Sequence, residues 1–335
     1  MPFIQRIGLT LLLACLVGPA SAQTLKLATI APDGSAWMEE LRATAERIEA
    51  QTGGELSLRF YPGGVMGDAE AVLRRMRLGQ LHGGAFTLGD LARVAPAANL
   101  YSMPFVFRNL EEVQAVRETF DPLIIEALGE GGMVVPGISL GGFAYLFSDR
   151  SLPVDGPEGI DRNLRVWVPV GDESSRRTLD RAGASPVPLP ISEVYTALQT
   201  GAVNTFATTP SAAIILQWHT RARSMLDMPL LMTAGTIGID QRALARLTED
   251  HRSVLVAELR QALERLERSN LADNAEAREA LEDQDIEFLQ PEPGLVDHWH
   301  ELAHDTRRSM QSEGVLELPH MDRLERRLES LRDEG

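Results

Sequence analysis

His300-Glu301-Leu302-Ala303-His304 is the segment of this 335-residue chain whose residue types and spacing match a known catalytic pattern. Two histidines four positions apart share one face of a helix and can bind one zinc ion, and the intervening glutamate can act as base on metal-bound water. Such a centre needs a third protein ligand. No Gly-x-x-His follows His304, and Glu325 is the one distant carboxylate that suggests itself. Three fixed positions among seven histidines also arise by chance, so a zinc hydrolase using His300, Glu301 and His304 stands against a plainer reading, a solvated amphipathic helix face. No phosphate-binding loop or dinucleotide fingerprint occurs, and the acidic residues are scattered along helical stretches. Cys15 is the only cysteine, which leaves no thiol pair for redox chemistry and no cysteine-ligated metal site. The expectation is a protein that is not an enzyme and holds no metal or cofactor.

The net charge of −16 argues against nucleic acid and anionic lipid as partners. A binding protein for small molecules fits better, and the elements that would build one follow each other along the chain. Leu25 to Ile30 alternates with the period of a strand. Pro32-Asp33-Gly34-Ser35 makes a turn and supplies an N-cap, and Trp37, Leu41, Ala45 and Ile48 recur at helical spacing up to Gly53-Gly54. Leu56 to Tyr61 reads as a second strand, Asp68 caps a helix ending near Gly79, and Ala85 to Leu88 reads as a third strand. This β-α-β-α-β order implies a parallel sheet with right-handed crossovers. A second block repeats the style, with strands at Leu164 to Val168 and Ala202 to Ala207, an arginine-rich helix at Asp172 to Ala182, and a helix opened by Ser192-Glu193 and ended by Gly201. Gly235 to Asp240 looks like one more strand. From Thr248 a helical pattern runs to about Leu281 without glycine or proline. At about 1.5 Å per residue such a helix outgrows a single lobe and must lie across two. Ile286 to Leu289 is a short strand, and two amphipathic helices follow.

Open α/β sheets place ligands beyond the C-terminal ends of their strands. That rule makes the loop Ala31 to Trp37, with Asp33, Ser35 and Trp37, one candidate wall, and Phe86-Thr87 at the end of the third strand another. Trp37 also suits a core-facing helical position.

The segment from Gly183-Ala184-Ser185-Pro186-Val187-Pro188 through Glu193-Val194-Tyr195-Thr196-Ala197-Leu198-Gln199-Thr200-Gly201-Ala202-Val203 resembles the periplasmic binding subunits of tripartite ATP-independent periplasmic (TRAP) transporters. Tyr61-Pro62-Gly63-Gly64 through Gly67, Arg77-Leu78-Gly79, the Leu164 to Pro169 strand and the long late helix support the resemblance, which covers essentially the whole chain after its N-terminal segment. It implies an α/β, two-lobe periplasmic solute-binding protein fold of type II-like form, with a long helix crossing both lobes. It also implies a small organic ligand in a hinged cleft and delivery to a TRAP-type membrane permease pair. The expected organisation is residues 1–22 as signal peptide, 23–140 mainly lobe I, 141–234 mainly lobe II, 235–247 as a return strand to lobe I, and 248–335 as the spanning helix and C-terminal helices.

One departure from the family pattern bears on the ligand. Carboxylate-binding members carry an arginine two places before the proline of the Leu164 to Pro169 strand, and Trp167 stands there instead. A second family arginine lies on the strand before Ser148, and the matching place holds Ala144. A guanidinium grips a carboxylate through paired charge-assisted hydrogen bonds, whereas an indole offers an apolar face and one N–H. The expected site is therefore more apolar than usual, with Trp167, Phe206 and Tyr145 as aromatic walls and Asn204 and Thr208 as polar groups. Phe143 and Phe147 also suit a core. Arg165, one pleat from Trp167, and the more distant Arg150 are possible substitutes, and with them an ordinary C4-dicarboxylate or organic-acid binder remains the alternative.

The N-terminus carries one early charge, Arg6, an apolar run from Ile7 to Val17, and Ala20-Ser21-Ala22, the layout of a cleaved secretory signal whose core is too short to span a bilayer. No later segment is apolar for long enough to insert stably in a membrane. Leu12-Leu13-Ala14-Cys15 also resembles a lipoprotein box. The expected product is a periplasmic protein beginning at Gln23. N-terminal sequencing and intact mass of protein from a periplasmic extract check this, and a lipidated Cys15 on membrane-bound protein sinks it.

Overall fold

The computed structural model describes residues 23–156 and 160–334, so the signal-peptide reading of residues 1–22 lies outside the described residues. The chain opens with β1 (Gln23–Ala28), α1 (Ala36–Gln51), β2 (Leu56–Tyr61), α2 (Ala69–Arg77), β3 (Gly83–Thr87), a short α3 (Leu88–Leu91) and a 3-10 turn at Pro96–Leu100. Then come α4 (Leu110–Glu130), β4 (Met133–Val134), β5 (Ser139–Ser148), β6 (Arg165–Pro169), α5 (Glu173–Arg181), β7 (Ser185–Leu189), α6 (Ile191–Thr200), β8 (Thr205–Thr208) and α7 (Pro210–Ile215). After a 3-10 turn at Trp218–Arg221 the chain finishes with β9 (Ser224–Asp240), α8 (Gln241–Leu244), α9 (Glu249–Glu282), β10 (Glu287–Leu289), α10 (Pro293–Ser312) and α11 (Met321–Glu334).

The helices start where short polar side chains can satisfy free backbone N–H groups. Ser35 accepts from the Met38 N–H, Asp68 from that of Ala71, and Thr248 from that of His251. All strands among the described residues join one sheet in the order β2-β1-β3-β9-β5-β8-β6-β7, with β4 and β10 paired to β9. β1 runs parallel to β2 and β3, and β6 runs parallel to β7 and β8. β7 takes the edge, the place that tolerates the missing N–H groups of Pro186 and Pro188.

Two long central strands join the halves. β9 pairs antiparallel with β3 near its C-terminus and with β5 along most of its length, so each half of the sheet is built on a different end of the same two strands. This is a two-lobed α/β fold. α9, whose 34 residues span about 50 Å at 1.5 Å each, lies across both lobes. It touches α1 through Arg47 and Gln51, which donate to Glu258, and reaches α7 through Asn274.

The long return strand begins at Ser224, well before the Gly235 expected from the sequence, because Asp227 and Pro229 interrupt its pattern. Pro229 has no N–H, and the β5–β9 register shifts there, between the pairs Ala144–Leu231 and Leu146–Leu226. Leu88 belongs to α3 and not to the third strand, since Thr87 and Asp90 form a reciprocal capping box. α4 was not expected, and it continues through Pro122.

β5 bends at Leu140 to Gly142, where a second register shift occurs. Gly142 has φ +99°, and a Cβ on it would stand 2.5 Å from Asn274 Nδ2. Gly142→Ala is therefore expected to lose about 2 kcal/mol of stability or more. Gly137→Ala, whose Cβ would meet only ordinary contacts at 3.8 Å, is expected to be near neutral. Urea unfolding of the two variants tests the difference.

Candidate functional site

A cavity of about 550 Å³ opens between the lobes. Lobe I supplies Thr87, Asp90, Arg93, Asn99 and Ser102, followed by Pro104 and Phe105. The floor is Ala144 and Leu146 on β5 with Leu230, Leu231 and Thr233 on β9. The far wall is Val166 to Gly171, the start of α5, and Thr208, Thr209 and Trp218. Trp299 of α10, with Val315 and Leu316 after it, closes the remaining side.

The register shifts of β5 and β9 shape this floor. The chain at Leu230 turns its carbonyl to the Phe105 N–H at 2.7 Å, and Phe105 takes φ 54° to reach it. Phe105 then stacks on Trp299 with centroids 5.4 Å apart. Across the cavity, Trp167 meets Trp218 edge-on at 5.1 Å. The Trp167 indole N–H donates to the Leu189 carbonyl at 2.9 Å, so this side chain presents ring carbon to the cavity and no free donor.

Of the residues singled out in the sequence, Trp167, Thr208 and Thr87 line the cavity. The others lie elsewhere. Phe206 is fully buried, stacked on Phe147 at 5.3 Å, because both rings face inward from paired positions on β8 and β5. Asn204 is a latch within lobe II. Its Oδ1 accepts from the Arg165 N–H at 2.8 Å and its Nδ2 donates to the Asn163 carbonyl at 2.8 Å. Tyr145 faces a smaller pocket beside α9, under the Arg278 guanidinium at 5.2 Å. Phe86 is core in lobe I. Trp37 donates to Asn270 Oδ1 on α9 at 3.1 Å, Asp33 pairs with Arg42 at the surface, and Ser35 is spent as the α1 cap.

Neither candidate substitute arginine reaches the cavity. Arg165 donates to the Gly201 carbonyl at 3.0 Å, and Arg150 pairs with its neighbour Asp149. Trp167 and Ala144, the positions where the family resemblance would put arginines, both stand on the cavity wall. Among the described residues, Arg93 is the cationic side chain on that wall, and it is paired with Glu70 at 2.9 Å.

The start of α5, expected from the sequence as a helix, was not among the residues expected at the site. Asp172 caps it by accepting from the Ser175 N–H at 3.0 Å. Burial pushes the Asp172 carboxyl above its ordinary value, against the hydrogen bonds from Ser175. Glu173, held by Arg176 and then Arg177, is pulled down to about 2. Ser174, Ser175, Thr178 and Leu179 are the buried residues of this helix. Hydroxyls at positions i and i+4 on an inward face were visible in the sequence, but arginines dominated the segment's composition.

The zinc reading finds no centre. His300 Nδ1 is engaged with the Phe105 carbonyl at 2.9 Å, His304 and Glu301 are exposed, and Glu325 pairs with Arg307. Among the described residues, no group of three or more His, Cys, Asp or Glu stands so as to hold a metal.

The raised carboxyl of Asp172 gives a pH signature. A carboxyl raised in the folded state binds its proton more tightly there, so it costs stability as pH rises. Asp172→Asn keeps a capping side chain without the charge. Its melting temperature is expected to exceed that of the unchanged protein at pH 8 and to match it at about pH 3.5. Equal melting at both pH values overturns this.

The family description "bacterial extracellular solute-binding protein, family 7" matches residues 27–313. The sialic acid-binding periplasmic protein SiaP of Vibrio cholerae is 28% identical over 210 residues, 61% of this chain and 63% of that one. A solute-binding protein of Chromohalobacter salexigens is 26% identical over 174 residues, 52% of this chain and half the length of that protein. Among solved structures, a TRAP periplasmic solute-binding protein of Chromohalobacter salexigens with bound D-glucuronate has a TM-score of 0.81 at 18% identity, covering 91% of this chain and 99% of that one. One from Haemophilus influenzae with bound L-gulonate has a TM-score of 0.80 at 16% identity, covering 92% and 99%. The chain belongs to family 7 of the bacterial extracellular solute-binding proteins.

Proposed function

We propose that this protein is a periplasmic receptor that captures a small organic ligand with a substantial apolar or aromatic body in the interlobe cleft and delivers it to a TRAP-type membrane permease. In this reading residues 23–140 form mainly lobe I and 141–234 mainly lobe II, and 235–247 return to lobe I. Residues 248–335 supply the spanning helix and the C-terminal helices.

The observation that carries the ligand reading is the placement of Trp167 and Ala144 on the cavity wall, where the one cationic side chain among the described lining residues, Arg93, is already paired with Glu70. A carboxylate buried without a cationic partner loses several kcal/mol. A ring or aliphatic body laid against Trp167, Leu146 and Val168 instead gains from each area of apolar surface it covers. Ligand contacts drawn from both lobes favour the closed state by their differential affinity.

A second reading has its own support. D-glucuronate and L-gulonate, bound in neighbours of the same fold, are acids. An acid in this cleft would find its cation in Arg93, released from Glu70.

Calorimetric titration separates the two. Succinate and malate are expected to bind at millimolar strength or not at all, and aromatic or branched aliphatic monocarboxylates at least tenfold more tightly. Trp167→Ala is expected to lose about tenfold or more, Arg93→Ala to weaken acids selectively, and Arg165→Ala to change nothing. Small-angle scattering with the best binder is expected to show a smaller radius of gyration. Micromolar succinate binding that survives Trp167→Ala and disappears in Arg165→Ala sinks the apolar reading.

A further inference from the structure

We propose that Ser174, Thr178 and Trp299 form a polar pole of the cleft that binds uncharged oxygen atoms of the ligand, hydroxyl or carbonyl. This rests on the reading of the cleft as the ligand site, and it narrows the ligand to an oxygen-substituted compound with an apolar body.

Among the described residues, nine buried side-chain nitrogen or oxygen atoms lack a hydrogen-bond partner, and four of them belong to residues that line the cavity. They are Ser174 Oγ, Ser175 Oγ, Thr178 Oγ1 and Trp299 Nε1. Ser174 and Thr178 are each 2% exposed and Trp299 is 3% exposed. A buried polar atom without a partner is destabilising, and native structures hold few of them. Three of them, Ser174 and Thr178 on α5 and Trp299 on α10, line one cavity and mark a place that a partner from outside the chain can fill.

The helix itself offers these hydroxyls an alternative that they do not take. A threonine inside a helix commonly donates to the carbonyl four residues back. Thr306 does so to Leu302 at 2.7 Å on α10, and Thr200 does so to Thr196 at 3.1 Å on α6. Thr178 makes no such bond, and Ser174 stands one turn before it on the same face. Ser175 lies nearer the Asp172 carboxyl, which accepts from its backbone N–H, so it is left out of the pole.

The charges around the pole select a neutral group. Asp172 and Glu173 open the helix with acid. Arg176 is paired with Glu173 and Arg177 with Glu173 and Glu313, while Arg181, at the far end of α5, donates to the Thr306 hydroxyl. Arg93 stands outside the pole, beside Gly171, and is held by Glu70. An anion here would meet the like charge of Asp172 and Glu173, and Arg181 does not line the cavity, whereas a hydroxyl can accept from the Trp299 N–H and exchange bonds with Ser174 and Thr178.

Two measurements test this. In protein unfolded, dialysed and refolded to strip any ligand, Thr178→Val and the double variant Ser174→Ala, Thr178→Val are expected to melt a few degrees higher than the parent, because each removes an unsatisfied group without removing volume. A lower melting temperature means that the hydroxyls serve the fold and overturns the proposal. Calorimetry then uses matched acids with and without a distal oxygen, namely 4-hydroxyphenylacetate against phenylacetate and 4-oxocyclohexanecarboxylate against cyclohexanecarboxylate. The parent is expected to favour the oxygenated member by about tenfold in at least one pair, and the double variant to reduce that preference to threefold or less. Binding without preference, or a preference that the variant keeps, overturns the pole while the apolar cleft stands. Failure of all four acids to bind the parent overturns both.

Discussion

Two asparagines on α9 hold the joint between the lobes. Asn270 donates through Nδ2 to the Leu140 carbonyl and accepts at Oδ1 from the Trp37 indole of lobe I. One helical turn later, Asn274 donates to the Gly141 carbonyl and accepts from the backbone and hydroxyl of Ser211 in lobe II. Each amide thus satisfies the bent part of β5 with one end and takes hold of a different lobe with the other. The backbone groups freed by the register shift at Leu140 to Gly142 must find partners, since buried unpaired carbonyls are disfavoured. Thr233 completes the set by donating to the Gly142 carbonyl at 2.7 Å. Glycine at 142 is required by its φ of +99°, and at 141 because a Cβ would stand 2.5 Å from Thr233 Oγ1.

Much of the cleft follows from that joint. Because β5 and β9 serve both lobes, their irregular stretches lie at the cavity floor, and side chains that regular pairing would send into the core face the ligand space instead. Leu230 is one such residue, and its carbonyl anchors Phe105, which in turn positions Trp299. α10 also ties the lobes. Arg307, nearly fully buried, donates to the Pro104 carbonyl at 2.9 Å and pairs with Glu325, while the same helix packs on α5. Burial lowers the Arg307 guanidinium from its ordinary value, against the attraction of Glu325. The contact at Pro104 sits next to the Phe105–Leu230 bond, close to where the strands cross between lobes, so a rotation about the joint moves it little.

The sequence disclosed the fold more readily than the site. Period and capping located the first three strands, the helix from Thr248 and its passage across both lobes, because those signals are local. β9 was half hidden, since Pro229 and Asp227 break its alternation at the very place where the strand is irregular. α4 was passed over altogether. At the site, Trp167 could be placed on the wall because the family resemblance marked its strand position as one that meets ligand. Phe206 and Asn204 could not, because which face of β8 meets the cavity and which meets the core depends on pairing with β5. The hydroxyls of α5 had the weakest signal. Serine and threonine on a helix ordinarily mean a solvated side, and only the packing of α10 and the cavity turns that side inward.

The placement of polarity within the cleft follows from what each wall can afford to bury. A guanidinium in the β6 strand would need its own partners when no ligand is present, and Trp167 avoids that by closing its N–H on Leu189 within lobe II. The polar capacity that remains is hydroxylic and sits on α5, opposite the lobe I groups Thr87 and Asp90, which satisfy each other in their capping box. Thr87 and Asp90 are thus a closed polar pair, whereas Ser174 and Thr178 are open. A ligand that satisfies the open set while its body reaches Thr87 and Ser102 touches both lobes at once. Only such contacts distinguish the closed state from the open one, and a ligand held by one lobe alone would bind without shifting the balance between them.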